Sequence, residues 1–403
     1  MKANEIKEKI QLEAADRWVN SNYKGTFELA TGVGKTFAAL QCILKIPKQS
    51  TVLILAEVTD REETIRTDIK KFDLIYGTKL LKDYKIEFAC YQSAYKWKSK
   101  QFDLVIADEI HDSLTKQYYK FYLNNEYDML VGLSATINKK GLIDEDDEEN
   151  PELTKGDLLD SIAPIIYTIN QDEAIELGLI SDYEILIYYH QLDSSTKNIK
   201  AGTKAKPFMT TELATYDYYD KAFKKSLFLP EGKYKTFAIR NASSKRAKVL
   251  YDAPSKKPVV KSILKANKKF KFIIFGNSLD ALHDITPNTV SSRNTDEENE
   301  LIKQKFAKGK IQEIASFKKL KQGANLPAVN IAILHSYYSV DIDYVQRVGR
   351  ILRVDKSGYN AVILFATLST QEMKWLDTMT KNISKPIIPF HKLSDLEKYL
   401  KTK

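Results

Sequence analysis

The stretch Ala30-Thr31-Gly32-Val33-Gly34-Lys35-Thr36 stands between a short apolar run, Thr26-Phe27-Glu28-Leu29, and a helical pattern. That order reads as strand, phosphate-binding loop and helix. The glycines let backbone N–H groups approach a β-phosphate, and the amino terminus of the next helix adds its positive end. Lys35 is placed to neutralise the β- and γ-phosphates, and the Thr36 hydroxyl to hold Mg²⁺. The loop opens Ala-Thr-Gly where many such loops have Gly-x-x.

Apolar runs set the frame around this loop. Thr51–Ala56, Ile86–Cys90, Phe102–Ala107 and Met129–Leu133 are short and aliphatic, as strands buried on both faces should be. They predict a parallel α/β sheet. A second set, Phe270–Phe275, Ile311–Ala315, Val329–Leu334 and Ala361–Phe365, predicts another. Between the halves Tyr183–Tyr189 reads as a strand, and residues about 193–245 leave the sheet rhythm. There lysines and arginines interleave with Tyr216, Tyr218, Tyr219, Phe223, Phe228, Tyr234 and Phe237, a mixture suited to phosphates and bases, or else to a small helical insertion packing its own rings. The acidic run Asp144–Glu149 followed by Pro151 reads as a solvated loop.

At 403 residues two domains are expected, residues 1–170 and 181–403 with the insertion at about 193–245. Charge divides with them. Residues 1–180 hold 23 Lys/Arg against 31 Asp/Glu, a net −8, and residues 181–403 hold 39 against 22, a net +17. A nucleic acid held against the second half fits that asymmetry. Without an apolar run of membrane length or a signal-peptide pattern, the expected location is the cytosol, with no membrane partner. Cys42 and Cys90 match no metal or disulfide pattern and read as buried thiols.

The next chemical motif is Asp108-Glu109-Ile110-His111, directly after the run 102–107. A carboxylate at a strand's carboxyl end can reach a Mg²⁺ held by Thr36, and its neighbour can orient and deprotonate the attacking water. Asp108 is assigned to the metal, Glu109 to the water, and His111 to a relay toward neighbouring motifs.

In this order of motifs the chain resembles the superfamily 2 helicases and translocases over roughly residues 8–370. Ser134-Ala135-Thr136 is similar to the family's Ser-Ala-Thr motif, which couples ATP state to domain movement. Gln346-Arg347-Val348-Gly349-Arg350-Ile351-Leu352-Arg353 resembles its Gln-x-x-Gly-Arg-x-x-Arg motif, making Arg350 and Arg353 the implied arginine fingers of the second domain and Gln346 a γ-phosphate or water contact. Gly323 and Asn325, in Gln322–Pro327, are implied nucleotide contacts. Thr59 and Arg61 after the strand 51–56, Asn277 after the strand 270–275, and Ser316 are implied nucleic-acid contacts. Gln11, 24 residues before Lys35, resembles the glutamine that reads adenine. The resemblance implies two RecA-like parallel-sheet domains in tandem with a basic, aromatic-rich insertion, using ATP and Mg²⁺ in a DExH-type site. It favours DNA over RNA, since the motifs look most like those of bacteriophage and bacterial repair and branch-migration helicases. A monomer is expected; the alternatives are an RNA helicase and the motor subunit of a restriction or defence complex.

Overall fold

A computed structural model describes residues 3–56, 60–143, 153–203, 205–317, 329–336, 359–380 and 387–403. The chain divides into two compact units, residues 1–181 and 182–403.

Unit 1 is built on six parallel strands: β1 (Lys24–Leu29), β2 (Thr51–Ala56), β3 (Lys85–Cys90), β4 (Gln101–Asp108), β5 (Glu126–Ser134) and β6 (Ile165–Ile169), in the order β3-β2-β4-β5-β1-β6. The aliphatic runs form strands because helices cover both faces, so alternate side chains all reach apolar surroundings. Val52, Leu53, Leu55, Leu104, Val105, Leu130 and Val131 are each 0% exposed. Helix Ala3–Asn20 lays Ile10, Ala14, Ala15 and Trp18 into this core, and the Trp18 indole donates to the Leu130 carbonyl at 3.0 Å.

The order of the central strands sets up the site. Register pairs Asp108 with Leu133 across β4 and β5, and Glu28 with Ser134 across β1 and β5. The loop after β1 and the carboxyl ends of β4 and β5 therefore share one edge, where open α/β sheets bind ligands. Gly132 keeps that edge tight: a Cβ there would lie 2.3 Å from Thr26 Oγ1 and 2.8 Å from Ile110 Cδ1.

Unit 2 has seven parallel strands, β7 (Glu184–His190), β10 (Phe272–Phe275), β11 (Thr289–Val290), β12 (Glu313–Ser316), β13 (Ile331–Leu334), β14 (Ala361–Thr367) and β15 (Ile387–Phe390), ordered β11-β12-β10-β13-β14-β7-β15. The strand read from Tyr183–Tyr189 thus lies inside the second sheet, between β14 and β15 and within the expected domain 181–403. Between β7 and β10 the chain forms an antiparallel hairpin, β8 (Ile199–Gly202) with β9 (Pro207–Thr210), then helices Glu212–Ser226, Lys233–Asp252 and Lys256–Ala266.

A buried charged network fastens these helices to the sheet. Glu212 is 0% exposed; it accepts from Ser255 N at 2.8 Å, Ser255 Oγ at 2.5 Å and Asp193 N at 3.0 Å. Since that hydroxyl donates to the carboxylate, it accepts at 2.7 Å from His190 Nε2, which fixes the tautomer of this buried imidazole. Lys256, also 0% exposed, donates to the carbonyls of Leu250 at 2.8 Å and His335 at 3.1 Å and lies 3.9 Å from Glu372 Oε1. Burial lowers the Lys256 ammonium from its ordinary value, opposed by Glu372 and Glu212. Among the described residues no helix is long and apolar enough to cross a membrane. Cys42 is buried and Cys90 half-buried, and both are free thiols.

Candidate nucleotide-binding active site

The loop 30–34 turns from β1 into helix Lys35–Ile43 through two left-handed glycines, Gly32 at φ 96° and Gly34 at φ 107°. Side chains other than glycine rarely adopt these angles. Gly34 caps the helix without a side chain, so the first N–H groups of the helix stay open to an anion. Thr31 and Gly32 lie on the outer side of the turn, while Val33 is 0% exposed and anchors it. Gln11, 5% exposed, reaches the loop from helix Ala3–Asn20: a Cβ on Gly34 would sit 2.4 Å from its Nε2.

Across from the loop, β4 delivers its two carboxylates differently. Lys35 Nζ donates to Glu109 Oε1 at 3.0 Å. Burial raises the Glu109 carboxyl, but Lys35, then His111, and more weakly Arg61 outweigh it and hold the group below its ordinary value. Glu109 therefore stays ionised, the state in which a carboxylate can accept a proton. Its backbone is left-handed, φ 50° and ψ 54°, a strained conformation for a glutamate and one that clusters at functional sites. Asp108 is 3% exposed; its Oδ2 accepts from Arg61 Nε at 2.7 Å, while Oδ1 is buried without a hydrogen-bond partner among the described residues. Thr36 and Asp108 line one small cavity with Ala39, Leu40, Ile54, Ile65, Ile106 and Leu133. A carboxylate oxygen without a partner among the described residues, on a residue that borders the same small cavity as Thr36, fits a Mg²⁺ that arrives with phosphates, which takes one or two protein oxygens and keeps the rest for water and substrate.

The third strand end connects to the second. His111 Nδ1 lies 2.9 Å from Ser134 Oγ, and that hydroxyl lies 2.9 Å from the Thr136 carbonyl. His111 Nδ1 is also 3.6 Å from Glu109 Oε2. His111 and the Ser134–Thr136 segment thus form one hydrogen-bonded chain that begins beside Glu109. The Thr136 hydroxyl is buried and unpartnered among the described residues.

Not every expected residue joins this cluster. Arg61, expected at a nucleic-acid strand, turns inward onto Asp108 instead, because that buried carboxylate has no other cation within hydrogen-bonding reach among the described residues. Ser316 ends β12 at 1% exposure, so its hydroxyl does not face solvent. Asn277 donates its backbone N–H to Ser336 Oγ at 2.7 Å, and its side-chain amide nitrogen is buried without a partner among the described residues. Thr59, Gly323, Asn325, Gln346, Arg350 and Arg353 lie outside the described residues. Two participants carry no motif signal. Tyr91, 2% exposed, donates its hydroxyl to the Asp108 carbonyl at 2.9 Å, and Glu28 accepts from Ile137 N at 2.9 Å, tying β1 to the segment after Thr136. Only their places beside the strand ends could have marked them.

Comparison with known proteins agrees with this geometry. Residues 4–139 match the family model of the type III restriction enzyme res subunit, and residues 255–355 match the helicase conserved C-terminal domain. A DNA 3'-5' translocase, XPB2 of Sulfurisphaera tokodaii, is 26% identical over 371 residues, covering 86% of this chain and 80% of that protein. Among solved structures, S. cerevisiae Dbp5 bound to RNA and ADP BeF3 aligns with a TM-score of 0.58 at 13% identity, over 98% of this chain and 93% of that one. The DNA-bound Type ISP restriction-modification enzyme LlaBIII aligns with a TM-score of 0.57 at 14% identity over 98% of this chain, which spans about a third, 32%, of the larger enzyme. At these identities the structural matches speak for the fold alone, two RecA-like parallel-sheet domains. The match of the phosphate-loop half to the res-subunit model and of the later half to the helicase C-terminal model supports a superfamily 2 helicase, and with the translocase relative it makes the chain an ATP-dependent helicase enzyme.

Proposed function

We propose that this enzyme couples ATP hydrolysis to movement along DNA, with branched or recombining DNA as the substrate it remodels. One observation carries the catalytic half of this reading: Lys35, Glu109, Asp108 and Thr36 meet at one sheet edge, with Glu109 ionised and one Asp108 oxygen unpartnered among the described residues. Lys35 and the open helix amino terminus bind and orient the phosphates. Glu109 Oε2, which has no hydrogen-bond donor among the described residues, accepts the proton of the attacking water. Thr36 and Asp108 would hold Mg²⁺, which when bound offsets phosphate charge. Gln346, Arg350 and Arg353 are the residues proposed to meet the charge that develops on the γ-phosphate, and Gln11 the adenine. His111 and Ser134 pass the state of Glu109 to the segment after β5.

DNA is preferred over RNA on one ground, that a relative covering most of this chain is a DNA translocase; the positive charge of the second half suits either polyanion. The test is ATPase rate with single-stranded, duplex and branched DNA beside matched RNA, with Lys35→Ala as control. Stimulation by DNA, strongest with branched DNA and lost in Lys35→Ala, is expected. Greater stimulation by RNA would replace the DNA reading, and equal turnover in Lys35→Ala would sink the site assignment. The res-subunit match favours a second reading, a motor subunit within a restriction complex. A stable larger assembly on purification from the native host would select it over a lone monomer.

A further inference from the structure

Unit 2 carries a two-helix arm whose outer surface is unlike the rest of the unit. Helices Glu212–Ser226 and Lys233–Asp252 run antiparallel: Arg246 pairs with Asp220 at 2.7 Å, its guanidinium lies 4.0 Å from the centre of the Phe223 ring, and Tyr216, Ala247, Leu250 and Tyr251 form the seam. The seam satisfies the arm's own core. It leaves Tyr218, Phe228, Tyr234 and Phe237 out, at 69%, 88%, 73% and 66% exposure. Phe228 sits in the link between the helices, and Tyr234 and Phe237 lie one turn apart just beyond it.

Cations surround these rings. Between residues 221 and 248 there are nine lysines and arginines and a single acid, Glu231. Lys221, Lys225, Lys233 and Arg240 are exposed and have no carboxylate partner among the described residues. Exposed rings beside unpaired cations match a chain of alternating bases and phosphates. A duplex hides the faces of its bases, so rings of this kind find a stacking partner only on an unpaired strand. The base of the arm is stiff, because the buried Glu212–Ser255 contacts hold it to the unit 2 sheet.

We propose that the arm binds single-stranded DNA, with bases stacked on Phe228, Tyr234 and Phe237 and phosphates on Lys221, Lys225, Lys233 and Arg240. The choice of DNA rests on the function proposed above; the single-strand grip itself rests on the arm. The test is fluorescence anisotropy of the full chain, without nucleotide, on a labelled oligodeoxythymidylate of about 20 nucleotides, on a duplex, and on oligouridylate. All three rings are exposed, so Phe228→Ala/Tyr234→Ala/Phe237→Ala should fold as wild type, checked by its melting curve. Its Kd for the single strand should rise about 100-fold or more, while its ATPase without nucleic acid is unchanged. Lys221→Glu/Lys225→Glu/Lys233→Glu should weaken binding and flatten the salt dependence by a log–log slope of about 2. Unchanged single-strand affinity in the ring variant overturns the proposal, as does an equal loss on duplex. Wild-type DNA binding by that variant together with loss of a bound protein partner would make the arm a protein-docking surface instead. Should the intact arm grip DNA while DNA fails to stimulate ATPase, the motor reading falls and the grip stands.

Discussion

Arg61→Ala should destabilise unit 1 most when no nucleotide is bound. The guanidinium Nε lies 2.7 Å from Asp108 Oδ2, with the two side chains 20% and 5% exposed. At the effective dielectric of a partly buried site, charge centres about 4 Å apart attract by about 4 kcal/mol. Removing the arginine strands Asp108 among Leu40, Ile54, Ile65, Ile106 and Leu133, and a carboxylate left without its partner in such surroundings costs about 3–5 kcal/mol. The residual exposure of Arg61 argues for the lower figure. At about 2–4 °C per kcal/mol for a domain of this size, the melting transition of unit 1 should fall by roughly 6–12 °C. Mg²⁺ with a non-hydrolysable ATP analogue supplies another cation, so the drop should shrink to a few degrees when both are present. In an Asp108→Asn background, Arg61→Ala should change little. Thermal melts of the full chain with and without Mg²⁺ and the analogue decide the matter. An equal drop in both conditions would make Arg61 a structural brace unconnected with the metal, and no drop in either would mean that the pair does not form.

Three further outcomes follow from the geometry. Glu109→Gln keeps the shape but removes the base, so turnover should fall about 10²–10⁴-fold with ATP still bound, measured by steady-state ATPase and nucleotide titration; retained turnover would reassign the base. Gly34→Ala forces an alanine to φ 107° and a Cβ to 2.4 Å from Gln11 Nε2, a strain of about 1–3 kcal/mol that should weaken ATP binding tenfold or more by titration calorimetry; adding Gln11→Ala, which also removes the proposed adenine contact, should relieve the clash but not the backbone term in melts without nucleotide, and should not restore ATP binding. For pH, burial and then Lys256 push His190 down to about 3, against about 6.5 when unfolded. The unfolded chain then binds a proton that the folded chain refuses, so stability is full above pH about 6.5 and is lost as pH falls toward 3. Between pH 6.5 and 5 His190 alone should remove about 2 kcal/mol, and His335, lowered well below its ordinary value by burial and then Lys256, acts in the same direction. Urea unfolding at pH 7 and pH 5 should show this loss, and His190→Gln should reduce it; identical slopes in variant and wild type would refute it.

The strands and the phosphate loop could be read from residue order because their causes are local. A run such as Val52-Leu53-Ile54-Leu55 is apolar at every position only if both faces are covered, and Gly32 and Gly34 mark a turn that other residues resist. Asp108 and Glu109 were visible for the same reason, sitting where the apolar run stops. Pairing across distance was not visible. Nothing near Tyr183 announces that its strand enters the second sheet between β14 and β15, since partners 175 or more residues away decide it. Arg61 looked like a surface cation because its counter-ion, Asp108, is 47 residues on. Glu212, Lys256 and Glu372 are fully buried although charged residues are rarely so, and only their mutual arrangement makes that tolerable.

That last cluster bears on how the enzyme could be cut down. An insertion joined by flexible linkers can be excised and the flanking ends rejoined. This one cannot, because Glu212 belongs to the arm while Ser255 and His190, which it serves, belong to the sheet and its covering helix. Deleting residues 205–252 would leave the Ser255 hydroxyl and the backbone amides of Ser255 and Asp193 without their acceptor, and would strip Lys256 of its Leu250 carbonyl. The arm and the second sheet therefore form one cooperative folding unit, and a minimal motor lacking the arm would have to be redesigned at its core rather than trimmed at its surface.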